Sequence, residues 1–305
     1  MKIGGESREQ IRRVSIQSVQ LGRNILVSSG LASRRYRMSI PVTELIQQLW
    51  GTFRQMNPQA GQIVDLLAQR GDPLQNDHIA FRTFNDPRIG VARLAEPFLA
   101  GGYVVGDEYH FAEKKLYAQH FEHADPTLPK IFISELLLEK FELPLRQTVD
   151  KLIEQFDLTS IDADHPLCIA GRPWRVSYEV WKSLRDQSEY AAWMAAHGYC
   201  ANHFTVFVNA LKSVSSLAEL NALLVAQGFQ LNSEGGAIKG SPSVFLEQSS
   251  TIAPTIEVDF TDGVHAVPGC YFEFAQRYPL PNGNLFSGFV AKSADKIFQS
   301  TDSRS

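Results

Sequence analysis

Apolar residues after position 40 first recur at the three- and four-residue intervals that are typical of helices. One such stretch runs from Pro41 to Met56, and a second begins at Pro58 and ends at Gly71. A third, from Pro87, ends at Gly101 and carries its apolar residues on one face. We therefore expect three helices here, the first two covering a sheet.

The stretch Asn76–Phe84 has a different period, because its side chains alternate as they do in a strand. Ile79 and Phe81 share one face, which suits a core. His78 and Arg82 share the other face, which is too polar for a core. We interpret this second face as the wall of a site.

The order of elements around this strand is repeated later in the chain. Strands are predicted at 103–110, 114–123 and 130–138, so that residues 38–138 form a βαβββ unit. In the second half, 201–293, a strand at 202–208 and a helix at 215–228 precede strands at 229–231, 244–248, 255–260 and 270–277. Residues 139–200 are mostly helical. We predict an α+β fold in which two βαβββ-like halves enclose a metal site with their curved sheets, with the helical insert 139–200 between them.

The metal site is inferred from a repeated motif. His78 follows Asn-Asp, and His203 follows Asn in an equivalent strand, so that each half supplies one imidazole. Glu273 lies in the otherwise apolar stretch 269–275, where an unpaired carboxylate would be costly and a cation partner is expected. Two histidines and one carboxylate suit Fe(II), with Mn(II) a poorer match, and zinc with three ligands and a water is the other option.

Other polar residues have candidate roles beside these ligands. Arg82 has the shape to bind a substrate carboxylate with two hydrogen bonds, and the alternative is an internal salt bridge with a residue such as Glu135. Gln248 is a candidate for hydrogen bonds to the substrate or to metal-bound groups, or for capping a turn. Three further histidines are candidates to line the pocket, namely His110, His120 and His123. Ser250 and Thr251 are candidates for the same roles as Gln248. The other cations that could bind a substrate carboxylate are Lys114, Lys115 and Arg277.

Composition limits the classes of molecule that the protein is expected to bind and the compartment in which it is expected to lie. A pI near 6.1 and a formal charge of −4 argue against nucleic acid. No apolar run reaches the roughly 18 residues of a membrane span. Three cysteines without C-x-x-C spacing suggest free thiols in a reducing compartment, from which we predict a cytoplasmic protein. Its oligomeric state does not follow from the sequence.

Residues 1–37 differ from the rest of the chain in charge. They carry seven arginines against two glutamates, together with scattered serines. A transit-like leader has this composition, but we favour a basic, disordered extension that precedes a single domain at 38–305.

Five stretches of the chain together resemble one known family. They are NDHIAFRTF at 76–84, KKLYA at 114–118, IFISEL at 131–136, ANHFTV at 201–206 and YFEFAQR at 271–277. As a set they are similar to the 2-oxoadipate dioxygenase/decarboxylase family, also called hydroxyglutarate synthase, over about residues 38–291.

The resemblance implies a fold related to the vicinal-oxygen-chelate enzymes and a single Fe(II) held by His78, His203 and Glu273. It also implies that Arg82 binds the substrate, so we assign Arg82 as the catalytic residue and expect His78 and Gln248 to contact the substrate beside it. The family reaction converts 2-oxoadipate and O2 to 2-hydroxyglutarate and CO2, late in lysine breakdown, and we expect 2-oxoadipate or a similar 2-oxo dicarboxylic acid as substrate. The alternatives are another metal-dependent isomerase, lyase or hydrolase on this fold, or a metal-free binding module.

Overall fold

The computed structural model describes residues 40–290, so the predicted extension 1–37 lies outside the described residues. The helices in this part of the chain are α1 (Val42–Met56), α2 (Pro58–Gln69), α3 (Val91–Ala100), α4 (Leu143–Ile153), α5 (Tyr178–Gln187), α6 (Glu189–His197) and α7 (Leu217–Ala226). The strands are β1 (Asn76–Phe84), β2 (Val104–Phe111), β3 (Leu116–Glu122), β4 (Lys130–Leu136), β5 (Ala201–Phe207), β6 (Lys239–Ser241), β7 (Leu246–Ser250), β8 (Thr255–Phe260), β9 (Gly263–Pro268) and β10 (Tyr271–Arg277). Among the described helices, none has both the length and the apolar character of a membrane span.

Eight of these strands form one sheet with the order β2-β3-β4-β1-β5-β10-β7-β6. The antiparallel pair β1 and β5 lies at its centre, β4 runs parallel to β1, and β10 runs parallel to β5. Outward from the centre, both halves therefore have the same strand arrangement, in agreement with the repeat in the sequence. The α+β class is confirmed, and because β1 and β5 pair directly, the two halves share one continuous sheet.

The second half differs from the prediction in its short strands. Residues 229–231 form only one isolated bridge, between Leu231 and Thr251, and β6 and β9 were not predicted. β6 has three residues and β9 is largely exposed, so neither has the apolar alternation that identifies a strand. β8 and β9 pair as a separate hairpin inserted before β10.

The apolar face of the central strands packs against helices. Trp50 and Phe53 of α1 lie with their ring centroids 5.0 and 5.1 Å from that of Phe204 in β5. Phe81 in β1 packs in the same way on Phe98 of α3, at 5.5 Å. Burying rings of this size contributes a large share of the stability of the core and fixes β1 and β5, which carry the polar residues on their opposite face.

The helical insert is attached to the polar side of the sheet through α6. The hydroxyl of Tyr190 accepts the Thr83 N–H at 3.0 Å and donates to the Ser134 carbonyl at 2.7 Å. The Trp193 indole N–H donates to the Gly269 carbonyl at 2.9 Å, just before β10. These bonds place α6 beside the end of β1 where Arg82 lies.

Candidate metal centre

Two β-bulges interrupt the pairing of β1 with β5. In one, Asn76 and His78 pair with the consecutive residues Val206 and Thr205, so Asp77 is the extra residue. In the other, the consecutive residues Ala80 and Phe81 pair with His203 and Ala201, so Asn202 is the extra residue. A bulge bends the strand locally and re-aims a side chain, and here each bulged residue directly precedes a histidine.

Each bulged side chain holds the histidine that follows it. The Nδ1 of His78 lies 2.8 Å from Asp77 Oδ1, and that of His203 lies 3.0 Å from Asn202 Oδ1. Because an oxygen of Asp or Asn accepts, Nδ1 carries the proton and Nε2 keeps its lone pair. Burial lowers the pKa of both imidazoles, so both are neutral at neutral pH, the form that binds a metal.

Glu273 completes the cluster from β10. Its Oε1 lies 3.4 Å from His78 Nε2, and its Oε2 lies 3.4 Å from His203 Nε2. One ligand atom from each of the three residues lies within 4.8 Å of the others, and all three residues are buried. Burial raises the pKa of Glu273 to about 8, against a 2.6 Å hydrogen bond from Gln248 that lowers it.

This geometry fits a divalent metal ion. Two neutral imidazoles and one carboxylate converge from neighbouring strands, and a buried carboxylate with a raised pKa is the group that a nearby cation would stabilise. Thr205 donates to His78 Nε2 at 3.1 Å, a bond that metal ligation would replace. The structure thus brings together the three predicted ligands, and their metal-binding role stays a prediction.

The sheet register explains why the repeat offers three ligands and not four. Two residues after its histidine, β5 has Thr205, which pairs with Glu273 in β10. At the equivalent place in β1, Ala80 pairs with Phe132 in β4. Phe132 therefore occupies the position equivalent to Glu273, and the first half of the sheet supplies no ligand atom from that position.

Gln248 contacts the cluster through one of the three candidate ligands. Its amide N–H donates to Glu273, so it orients a candidate ligand, while its Oε1 has no hydrogen-bond partner in the described part of the chain. A substrate contact for Gln248 stays a prediction. Thr251 instead accepts the Phe272 N–H with its hydroxyl and so supports the β10 backbone.

Arg82 makes an internal salt bridge, but with Glu189 and not with Glu135. Its Nη1 lies 2.8 Å from Glu189 Oε1, and its guanidinium carbon lies 4.8 and 5.0 Å from the rings of Tyr190 and Trp193. Glu135, the example partner of the sequence analysis, accepts the Val91 N–H instead, so the alternative of an internal salt bridge is present with a different carboxylate. The charge of Arg82 also lowers the pKa of His203, although less than burial does, so the guanidinium acts electrostatically on the cluster.

Arg277, a candidate cation for the substrate, is bound to Asp77. Its Nε and Nη2 donate to the two oxygens of Asp77 at 2.6 and 2.8 Å. Burial alone would raise the pKa of Asp77, but the charge of Arg277 together with the hydrogen bonds from Arg277 and His78 outweighs it and holds that pKa well below its usual range. A cavity of about 410 Å³ borders this pair together with Lys130, Phe207 and Phe286, and the three candidate ligands do not line it.

The other histidines are used elsewhere. His120 is bonded to the Tyr109 hydroxyl and to Glu122, at 2.9 and 3.1 Å. His123 accepts the Asp125 N–H, and the ring of His110 packs on Tyr117. These three histidines are not members of the metal-like cluster.

Sequence reasoning missed the residues that orient the site. The asparagine or aspartate before each histidine was part of the repeated motif and was its available signal, but its hydrogen bond depends on a bulge that the pattern does not predict. Glu189 is 107 residues from Arg82 in the chain, and no local pattern links them.

Comparison with known proteins identifies the family. The sequence model of the 2-oxoadipate dioxygenase/decarboxylase family matches residues 28–168 and 167–286. A chloroplastic 2-oxoadipate dioxygenase/decarboxylase of Arabidopsis thaliana is 34% identical in an alignment 314 residues long with its gaps, which covers 93% of this chain and 84% of that protein. This relative is named as a chloroplastic protein, which contradicts the prediction of a cytoplasmic location.

Solved structures agree with this assignment. A proposed hydrolase from Shewanella frigidimarina is 47% identical with a TM-score of 0.80, covering 83% of this chain and 99% of its own. Hydroxyglutarate synthase from Oryza sativa in complex with 2-oxoadipate is 32% identical with a TM-score of 0.78, covering 91% and 99%. A proposed glyoxalase-superfamily protein from Ralstonia eutropha, at 21% identity, a TM-score of 0.66 and coverage of 80% and 84%, supports the related fold alone. The chain belongs to the 2-oxoadipate dioxygenase/decarboxylase family.

Proposed function

We propose that this protein is an Fe(II)-dependent dioxygenase/decarboxylase. It converts 2-oxoadipate, or a similar 2-oxo dicarboxylic acid, and O2 to the hydroxy acid one carbon shorter and CO2. With 2-oxoadipate the product is 2-hydroxyglutarate, a step that belongs to lysine breakdown. The observation that carries the proposal is the convergence of His78, His203 and Glu273 within 4.8 Å. Family membership and the 2-oxoadipate complex of the rice relative support the choice of substrate.

In this proposal the two histidines and the glutamate hold the iron. A bound ferrous ion supplies a redox-active centre with open positions for a 2-oxo acid and O2. Asp77 and Asn202 keep each Nδ1 protonated and so keep each Nε2 directed at the centre. Gln248 fixes the carboxylate of Glu273 through its short amide hydrogen bond.

Arg82 binds a carboxylate of the substrate in this proposal. Its guanidinium is held against two aromatic rings of α6, so its direction is set before substrate arrives. Glu189 already partners Nη1, and the substrate carboxylate would join or displace this partner. A planar guanidinium with five donors can serve two carboxylates at once, whereas an ammonium cannot present the same fork.

Aromatic rings exclude water around both histidines. Phe289 packs perpendicular to His78 at 4.8 Å, and Tyr271 stacks on His203 at 4.5 Å. A dry surrounding strengthens the attraction between Arg82 and an anionic substrate, since charges interact more strongly at low dielectric. It also protects reactive species from side reactions with water.

The test is an anaerobically iron-loaded preparation assayed against a panel of 2-oxo acids that differ in chain length and in the presence of the distal carboxylate. We expect one O2 consumed for each CO2 released, with 2-oxo dicarboxylic acids as the best substrates. The His203→Ala variant, which lacks one ligand, serves as the inactive control. Substrate conversion without O2 uptake would instead favour an isomerase, lyase or hydrolase, and absence of metal binding would favour a binding module.

A further inference from the structure

The two candidate histidine ligands differ in the charge of the group that orients them. His203 is held by Asn202, which is neutral, whereas His78 is held by Asp77, which carries a negative charge. A buried carboxylate needs a cationic partner to remain ionised. Arg277 is that partner, with both side chains almost fully buried.

Both the guanidinium and the backbone of Arg277 make further hydrogen bonds. Its Nη1 donates to the carbonyls of Phe286 and Gly288 at 2.9 and 2.8 Å. Its backbone N–H and carbonyl are both bonded to the side-chain amide of Asn209, each at 2.8 Å. The guanidinium fork therefore joins Asp77 to the segment that follows β10.

That segment also contacts His78, through the ring of Phe289. Phe289 follows Gly288 directly, and its backbone N–H donates to the Tyr109 hydroxyl at 3.1 Å. Its ring stands perpendicular to the His78 imidazole and 5.3 Å from the guanidinium carbon of Arg277. Arg277 thus bonds both to Asp77, which accepts from His78 Nδ1, and to Gly288, which precedes the ring that packs against the imidazole.

We propose that Arg277 is a positioning residue for His78, which aims Nε2 at the metal centre by fixing Asp77 and segment 286–289 together. This inference rests on the proposed metal site. The second half of the sheet needs no such residue, because the neutral Asn202 holds His203 without a counter-charge. In the register that makes Phe132 of β4 equivalent to Glu273 of β10, the residue equivalent to Arg277 is Leu136, which carries no charge.

The test measures binding of Co(II), a spectroscopic substitute for Fe(II), to the full chain and to three variants. Arg277→Lys keeps the charge but cannot bond Asp77 and two carbonyls at once. Asp77→Asn with Arg277→Met removes both charges and leaves an asparagine before His78, as before His203. Arg88→Met is the matched control, since Arg88 makes a similar two-bond pair with Asp86 at the surface.

We expect Arg277→Lys to bind Co(II) roughly 10- to 100-fold more weakly, the range found when a residue that orients a metal ligand is replaced. In the double variant the asparagine can still accept from His78 Nδ1, so the weakening expected there comes from losing the bonds of Arg277 to segment 286–289. The visible Co(II) spectra of both variants should change as well, because the ligand geometry changes, while Arg88→Met should bind and absorb like the wild type. A role in stability alone would lower the unfolding temperature without changing the spectrum of the folded protein.

The outcomes that overturn the inference are distinct from failure of the proposed function. If the wild type binds no Co(II) or Fe(II), the metal site itself is refuted, and this inference with it. If the wild type binds but the folded variants bind with equal affinity and an unchanged spectrum, Arg277 does not position His78. If Arg277→Lys does not fold, the double variant decides, and loss of folding there too would make Arg277 a residue of the fold alone.

Discussion

Arg82 shows how one buried side chain can serve both structure and chemistry. Its charge is balanced by Glu189 and its guanidinium stacks on Tyr190, so the buried side chain is stabilised without any ligand. It also shares a face of β1 with His78, where the alternation of the strand directs it toward the candidate centre. Whether it binds substrate is decided by variants that separate the salt bridge from the guanidinium.

We predict that Arg82→Ala retains iron but loses about 3 kcal/mol of transition-state stabilisation toward diacids, roughly a 100-fold fall in kcat/KM. The reason is loss of a buried, charge-assisted pair with the substrate. The preference for diacids over monoacids of similar length should also disappear, and Arg82→Lys should restore little. Steady-state kinetics with both substrate classes measures these effects.

Glu189→Gln is the matched control, since it breaks the same salt bridge while keeping the guanidinium. It should keep the diacid preference. If Arg82→Ala and Glu189→Gln lower activity equally and both keep the preference, Arg82 is only a structural salt-bridge residue.

His197, at the end of α6, predicts a pH dependence of stability. It is buried, its ring bonds the Pro268 carbonyl at 2.8 Å, and burial lowers its pKa from 6.5 to about 4. Between these two values the unfolded chain binds a proton that the folded protein does not, so stability falls as the pH falls. We expect a loss of about 2 kcal/mol between pH 7 and pH 5 from this residue.

Urea unfolding of the metal-free protein at the two pH values measures this loss. In His197→Gln, whose amide can still donate to the carbonyl, the difference between the two pH values should shrink by that amount. An equal pH dependence in both proteins would contradict the assignment.

The candidate ligands were predictable because each is a polar residue in an apolar strand. His78, His203 and Glu273 interrupt patterns that otherwise bury every second side chain, and a functional role is the simplest reason for such an interruption. Asp77 and Glu189 were not recognised, since the first depends on a bulge and the second on the docking of α6.

At the scale of elements, two equivalent bulges in one strand pair build the site. Regular pairing would place the residue before each histidine on the opposite face, away from its imidazole. The extra residue in each bulge removes that constraint and lets Asp77 and Asn202 bond Nδ1. The long strands and helices were predicted from their periods, whereas β6 and β9 were not, because short or exposed strands have no apolar repeat.

The turn between α6 and β5 holds the His203 strand in place and gives a third prediction. Gly198 ends α6 with φ +66°, and a Cβ there would lie 2.2 Å from the Gly171 carbonyl oxygen. Gly171 has a similar φ, +65°, but a Cβ on it would meet nothing within 4 Å. Gly198→Ala should cost about 3 kcal/mol or more through strain and displacement, against about 1 kcal/mol for Gly171→Ala.

Chemical denaturation of the two variants tests this difference directly. The bridge between Gly171 and Tyr199 pairs the segment of Gly171 with the residue that follows Gly198, so both substitutions act on the same pair of neighbouring segments. Equal destabilisation would show that backbone conformation alone, and not the close approach, requires glycine at position 198.

At the scale of the molecule, the candidate centre lies where the two halves of the sheet meet. β1 of the first half supplies His78, while β5 and β10 of the second supply His203 and Glu273. An ion bound there connects three strands and also neutralises the carboxylate that burial disfavours. Metal binding should therefore stabilise the whole sheet and not only the local site.

The last prediction follows from this position. A ligand that binds only the folded protein at 100 times its Kd raises the free energy of unfolding by about 2.7 kcal/mol. For a chain of this length that corresponds to a rise of about 5 °C in Tm. Anaerobic thermal unfolding with and without Fe(II) measures this rise in Tm.

His203→Ala and Glu273→Ala should lose most of the rise because each lacks a ligand, while Arg82→Ala should keep it in full. A rise that survives in His203→Ala would place the metal elsewhere, whereas a rise that disappears in Arg82→Ala would show that Arg82 supports the metal centre itself and not the substrate.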